Sequence, residues 1–276
     1  MAEFENIVIG QSSIPSLIIT VILMTAIPVG LFIFWFRRHK QKTDLGYLAA
    51  GAVGFMVSAR VLELGVHMIC IVLDNPVSRF INGNTAAYVI YGTVMAGVFE
   101  ECGRYIILKY IMKKNRTREN AVMYGIGHGG IEILAVILPS IILMLAIAVL
   151  FSAGDTKSAL NALKITEETA AAALPQVQTA ASFDYAMMAM NVIERLFAML
   201  LHIGLTVIVF YGVLNAKKMF PALAIILHMA ADTFPALYQR GVVPMWVAEV
   251  WCCLWIVVII FIAAKLYSRI ESREDI

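Results

Sequence analysis

Carboxylates, imidazoles and two guanidinium groups recur at helical intervals within four otherwise apolar stretches of the chain. Glu100, Glu101 and Arg104 stand in FEECGRY, and His128 and Glu132 in GHGGIE. Glu194, Arg195 and His202 occupy a third stretch, and His228 and Asp232 lie in HMAADTF. Glu100 and Arg104, His128 and Glu132, and His228 and Asp232 are each four residues apart, so each pair shares one face of a helix. Arg195 and His202 are separated by seven, about two turns, and point the same way. Imidazoles beside carboxylates can hold and polarise a water molecule. A desolvated carboxylate near Arg104 can serve as general base. Imidazole N–H groups can then stabilise the oxyanion formed when that water attacks an amide. The same residues could instead hold zinc through His128, His228 and Glu100, with one coordination position open. A metal-free site and a zinc site therefore both stand. There is no HExxH motif, and no Ser-His-Asp or Cys-His arrangement is suggested.

The elements carrying these residues must be membrane helices. Of 276 residues, 61% are hydrophobic and only 14% charged, against roughly 45–50% and 25% in soluble domains. One globule could not bury that excess, which excludes an ordinary cytosolic enzyme, a disordered chain and a nucleic-acid binder. A spanning helix needs about 20 mostly apolar residues. Seven stretches qualify, roughly 14–36, 45–73, 86–111, 119–151, 184–214, 220–238 and 243–264. Residues 1–11 hold two acidic and no basic residues, so the first stretch does not read as a cleaved signal peptide. Cys70, Cys102, Cys252 and Cys253 all fall in apolar segments, which argues against a disulfide framework or a Cys-rich metal site.

Basic residues set the expected orientation. One set of connections holds Arg37, Arg38, Lys40, Lys42, Lys109, Lys113, Lys114, Arg116, Arg118, Lys217, Lys218, Lys265, Arg269 and Arg273; the other holds only Arg79, Lys157, Lys164 and Arg240. The N-terminus is expected outside and the C-terminus in the cytosol. Counting about 1.5 Å per residue from the cytosolic helix ends puts Glu100 and Glu101 roughly 15 Å deep, His128 roughly 13 Å, His228 roughly 12 Å and His202 roughly 18 Å. Charged groups at such depth are costly and normally face a bundle interior. Chance would scatter them, and a single polar layer open to the cytosol is expected.

Other polar residues read more plainly. Arg60 with Glu63 suggests a buried i,i+3 ion pair, His67 a satisfied core histidine, and Glu194 with Arg195 either a helix tie or part of the polar layer. The stretch 152–183, Ala-rich at its centre and on the outer side, is expected to form short surface helices capping the bundle.

At the charged motifs the sequence resembles the YhfC-type membrane peptidases. That group sits within the superfamily of CAAX-processing type II proteases, bacteriocin-processing enzymes and PrsW proteases, which also includes the multi-spanning scaffold subunit of gamma-secretase. Two adjacent glutamates followed by a basic residue are matched by Glu100, Glu101 and Arg104. An aromatic ahead of a histidine is matched by Tyr124 and His128, and a histidine with a polar partner one turn later by His228 and Asp232. The short Glu–Arg spacing and GHGGIE suit the YhfC branch. The resemblance implies a four-helix catalytic core over about 86–238, with Glu100 activating water and His128 and His228 orienting it or stabilising the oxyanion.

The combined expectation is an all-α, polytopic protein of the cell membrane, one transmembrane domain over 1–276 with seven spans. Its expected activity is hydrolysis of a peptide bond by a glutamic or metal-assisted intramembrane protease. The cofactor is either none or Zn. The expected partners are the lipid bilayer and a membrane-embedded or lipidated protein or peptide substrate, with no nucleic acid. The expected catalytic residues are Glu100, Glu101, Arg104, His128, His228 and Asp232, supported by Glu132, Glu194, Arg195 and His202. A non-catalytic scaffold of the same fold is the second reading, and a proton- or ion-coupled transporter the third.

Overall fold

The structure, a computed structural model, describes residues 2–270; Arg273, counted above among the cytosolic basic residues, lies outside them. The regular structure of the described residues is all helical, with no strand. The chain runs through α1 (Ser13–Arg38), α2 (Leu45–Val72), the short α3 (Pro76–Gly83), and α4 (Thr85–Ile106, continued in π geometry over Ile107–Ile111). There follow α5 (Arg118–Ser152), the short α6 (Thr156–Ala162), α7 (Glu167–Ser182), α8 (Tyr185–Leu214), α9 (Met219–Gln239) and α10 (Met245–Tyr267).

Six of these, α1, α2, α5, α8, α9 and α10, are long and apolar enough to cross a membrane. Six such helices make a multi-pass integral membrane protein. The third predicted span, 86–111, corresponds to α4. It has the length, but Glu100, Glu101 and Arg104 reduce its apolar character, and they are what makes it chemically informative.

Side-chain caps define several starts. Asp44 accepts from the Gly46 N–H at 2.7 Å ahead of α2. Asn75 and Ser78 form a capping box on α3, and Asn84 accepts from the Ala87 N–H at the start of α4. Such bonds satisfy donors that a helix cannot pair internally. At the other end of α4, Arg116 donates to the carbonyls of Leu108, Lys109 and Met112, completing the last turn. The helices are not uniform. α2 contains π stretches at Met56–Glu63 and Met68–Val72, and α5 has one at Ile133–Ile137 just ahead of Pro139. Proline lacks the N–H that an α-helix requires there, so the register widens.

The residues form two compact units. One comprises the chain up to Ile27 together with Ile133–Arg195. It has an apolar core of Phe4, Ile147, Phe151, Leu160 and Val177. Within it the Ser13 hydroxyl donates to the Ala181 carbonyl at 2.6 Å, and that of Ser16 to the Phe183 carbonyl at 2.7 Å. The stretch 152–183 is helical here, as α6 and α7.

The other unit comprises Pro28–Glu132 and the chain from Leu196 onward. In it the first half of α2 packs on the first half of α5, and α9 packs on both α4 and α10. The α2–α5 contact is close because glycines carry it. A Cβ on Gly127 would stand 2.0 Å from the Leu48 carbonyl oxygen, and one on Gly51 would stand 2.1 Å from that of Tyr124. Small residues let membrane helices approach in this way where lipid supplies no hydrophobic drive. On α4, Val89, Thr93, Gly97, Glu100, Glu101 and Arg104 are the buried positions. Their spacing of three and four puts them on one inward face. Burial is also dense on α5 from Glu119 to Gly130 and on α8 from Met199 to Gly212, leaving out only Leu200 and Ile203 on α8. The chemistry-bearing residues lie on these faces.

Candidate active site

Four helices of the second unit each contribute one or more polar side chains to a single buried cluster. α4 presents Glu100, Glu101 and Arg104, α5 presents His128 and Glu132, α8 presents His202, and α9 presents His228 and Asp232. Glu101 and His128 have no exposed surface, Arg104 retains 1%, and Glu100 8%.

The cluster has two parts. In the first, His128 Nε2 lies 3.0 Å from Glu100 Oε2, and His202 Nδ1 lies 3.8 Å from the same oxygen. One donor atom from each of Glu100, His128 and His202 falls within 4.8 Å of the others. The second part surrounds Glu101. Arg104 donates to both Glu101 oxygens, and His228 Nδ1 is 2.9 Å from Oε1. The other ring nitrogen of His228 faces Asp232 at 3.4 Å. The parts meet where Arg104 Nη2 approaches His202 Nδ1 at 3.3 Å.

That contact fixes a tautomer. A guanidinium only donates, so His202 Nδ1 must accept and its proton must reside on Nε2. Nε2 accordingly donates to Glu132 Oε2 at 2.8 Å. The Nδ1 lone pair, whose hydrogen bond from Arg104 a bound cation would replace, lies 3.8 Å from Glu100 Oε2 and is held there by a carboxylate on the opposite ring nitrogen. This is the arrangement seen behind metal-ligating histidines. His128 Nδ1, in contrast, is buried with no hydrogen-bond partner. Its ring is wedged between Phe55, edge-on at 5.2 Å, and His202 at 4.7 Å between centroids.

The donor set fits a divalent metal. Two imidazole nitrogens and one carboxylate oxygen, all buried and supported by Glu132, match the three-ligand pattern of catalytic zinc sites with one position left open. The ligand set differs from the expected Glu100, His128 and His228. Among the described residues the third donor atom within 4.8 Å belongs to His202, whereas the ring nitrogens of His228 face Glu101 and Asp232. Depth along a helix could not distinguish the two histidines; only the rotation of α8 and α9 about their axes does.

The carboxylate partner of Arg104 is Glu101, within reach one turn back on the same helix. Glu194 pairs with its neighbour Arg195. Both belong to the unit that comprises the chain up to Ile27 with Ile133–Arg195. Thr206, absent from the expected set, donates to the His202 carbonyl at 2.6 Å. A threonine one turn beyond a histidine is too common a pattern to have marked it.

Membrane-length helices bearing a buried carboxylate–imidazole cluster define a polytopic membrane protein with an intramembrane polar site. A family model described as YhfC intramembrane metalloprotease matches residues 23–252, and the chain belongs to that family. It is 30% identical over 267 residues to the membrane protein YhfC of Bacillus subtilis (strain 168), spanning 96% of this chain and 98% of that one. No solved structure matches the chain significantly. Family membership supports an intramembrane peptidase, a hydrolase.

Proposed function

We propose that the chain hydrolyses a peptide bond of a membrane-embedded or lipidated protein, using a water activated at Glu100 in the cytosolic half of the bilayer. The observation that carries this reading is the convergence of Glu100, His128 and His202 within 4.8 Å in a buried setting. In the proposed topology α4 is a seventh span, and the helices α4, α5, α8 and α9 form the catalytic core. The N-terminus is outside and the C-terminus cytosolic, as the excess of basic residues on one set of connections supports.

Glu100, His128 and His202 would hold a divalent ion such as zinc, which when bound supplies Lewis acidity to the water and the scissile carbonyl. The chain's own groups do the rest. Glu100 Oε2 is engaged by His128, and Oε1 has no hydrogen-bond partner among the described residues, so Oε1 takes the water's proton as the water oxygen attacks the carbonyl carbon. That proton then passes to the departing amine nitrogen as the C–N bond breaks. Glu132 keeps the His202 lone pair aimed at the cluster. Arg104 neutralises Glu101, and Glu101 in turn orients His228, whose Nε2 edge lies towards Asp232, the more open of the site's carboxylates at 36% side-chain exposure. There His228 can donate to the developing oxyanion.

Glu100→Gln tests the reading in vesicles containing the full chain. It preserves size but cannot accept a proton, so the variant should remain folded and inserted while cleavage of a membrane-tethered peptide library stops. A chelator that abolishes wild-type cleavage, with zinc restoring it, supports the metal-assisted form. Indifference to chelator supports a metal-free Glu–His water site. Wild-type protein that cleaves nothing yet co-purifies with a stable membrane partner would assign the chain to the scaffold class instead.

A further inference from the structure

Arg60 is a charged residue of a membrane-length helix that the site does not absorb. It lies in α2, fifteen residues past Leu45 and twelve before Val72, so roughly 22 Å and 18 Å from the helix ends at the α-helical rise. That is near the centre of a hydrocarbon layer about 30 Å thick. The expected i,i+3 pair with Glu63 is not formed. Glu63 instead turns to His67, with Oε1 3.2 Å from Nε2, and His67 Nδ1 is 2.8 Å from the Tyr91 hydroxyl. Glu63 is thereby drawn inward and buried, whereas Arg60 is exposed. No carboxylate lies within ion-pairing distance of Arg60 among the described residues. Around it the same helix exposes Met56, Val57, Val61, Leu64 and Met68.

A lone guanidinium facing lipid at mid-span is strongly unfavourable, and such residues are normally paired or face protein. The apolar surroundings fit another membrane helix, and the uncompensated positive charge specifies what that helix carries. We propose that this face of α2 docks a transmembrane helix of another protein bearing an Asp or Glu near its midpoint, with Arg60 as the recognition point. A second copy of this chain fits poorly. A two-fold contact through the same face would set Arg60 against Arg60, and the nearby Glu63 is turned away. The inference is independent of the proteolytic reading, since it concerns binding at a separate face and its test involves no cleavage.

The test uses the full chain in phosphatidylcholine vesicles with a fluorophore-labelled, Leu-rich helix of about 20 residues. Its central residue is Glu, Gln or Lys, and association is read by energy transfer. The wild type should bind the Glu helix at least tenfold more tightly than the Gln helix. Arg60→Leu and Arg60→Met should erase that preference while leaving the thermal unfolding of the protein nearly unchanged, because Arg60 is exposed and has no hydrogen bond or ion pair among the described residues. Arg60→Glu should transfer the preference to the Lys helix. Equal binding of Glu and Gln helices by the wild type would overturn the proposal, and this result requires no variant to fold. So would a Glu preference that survives both neutral substitutions. Arg60-dependent energy transfer between labelled copies of the chain would also overturn it, in favour of self-association.

Discussion

Glu132 offers a direct way to ask whether His202 is a ligand. Its carboxylate accepts from His202 Nε2 at 2.8 Å, and the opposite ring nitrogen stands 3.8 Å from Glu100 Oε2. Glu132→Gln nearly preserves volume but removes the charge behind the imidazole. A carboxamide can also turn its NH2 group towards Nε2, which would shift the proton to Nδ1 and remove the lone pair facing the cluster. Loss of such outer partners typically lowers metal affinity or activity 10–100-fold, or about 1.4–2.8 kcal/mol at 1.4 kcal/mol per decade. Zinc affinity, measured by competition with a chromophoric chelator on detergent-solubilised protein, should fall by that factor, and peptide cleavage with it. His202→Gln should abolish tight binding. His228→Gln should reduce affinity far less, because that ring faces Glu101 and Asp232. Wild-type zinc affinity in a folded Glu132→Gln protein would refute the assignment. So would a His228 variant that loses zinc as completely as the His202 variant.

Arg104→Met leaves Glu101 buried without its cation, and breaking such a pair typically costs about 3–5 kcal/mol; thermal unfolding in detergent should show a large loss, with Arg104→Lys retaining part of the stability. Gly127→Ala forces a Cβ to within 2.0 Å of the Leu48 carbonyl oxygen and should destabilise by at least about 1–3 kcal/mol, whereas Gly92→Ala, with nothing within 4 Å, should be tolerated in the same assay. On the exposed segment at α6, hydrogen bonds from Ser158 hold the Asp155 carboxyl below its ordinary range. Its contribution is therefore present above the unfolded value near pH 4 and is lost as pH falls through the lower folded value; hydrogen exchange in Thr156–Ala162 should accelerate in that acidic window and not between pH 6 and 8.

Composition alone settled the solvent and the class of secondary structure. With 61% hydrophobic residues, the chain satisfies its backbone groups in lipid by forming helices. The four-residue spacings of Glu100 with Arg104 and His128 with Glu132 identified inward faces, because period and rise are local properties of a helix. Tertiary structure decided who meets whom. His202 rather than His228 joins Glu100 and His128, Glu101 rather than Glu100 receives Arg104, and Glu63 leaves Arg60 for His67. The first choice depends on how α8 and α9 are rotated and offset against α4 and α5. In the other two the partners share a helix, and a contact from another helix accompanies the pair, His228 on Glu101 and Tyr91 on His67. Rotation and offset depend on close contacts such as those at Gly51 and Gly127, whose partners lie more than seventy residues away in the chain. Spacing along a single helix fixes the direction of a side chain relative to its own axis; it carries no information on which group from another helix stands opposite.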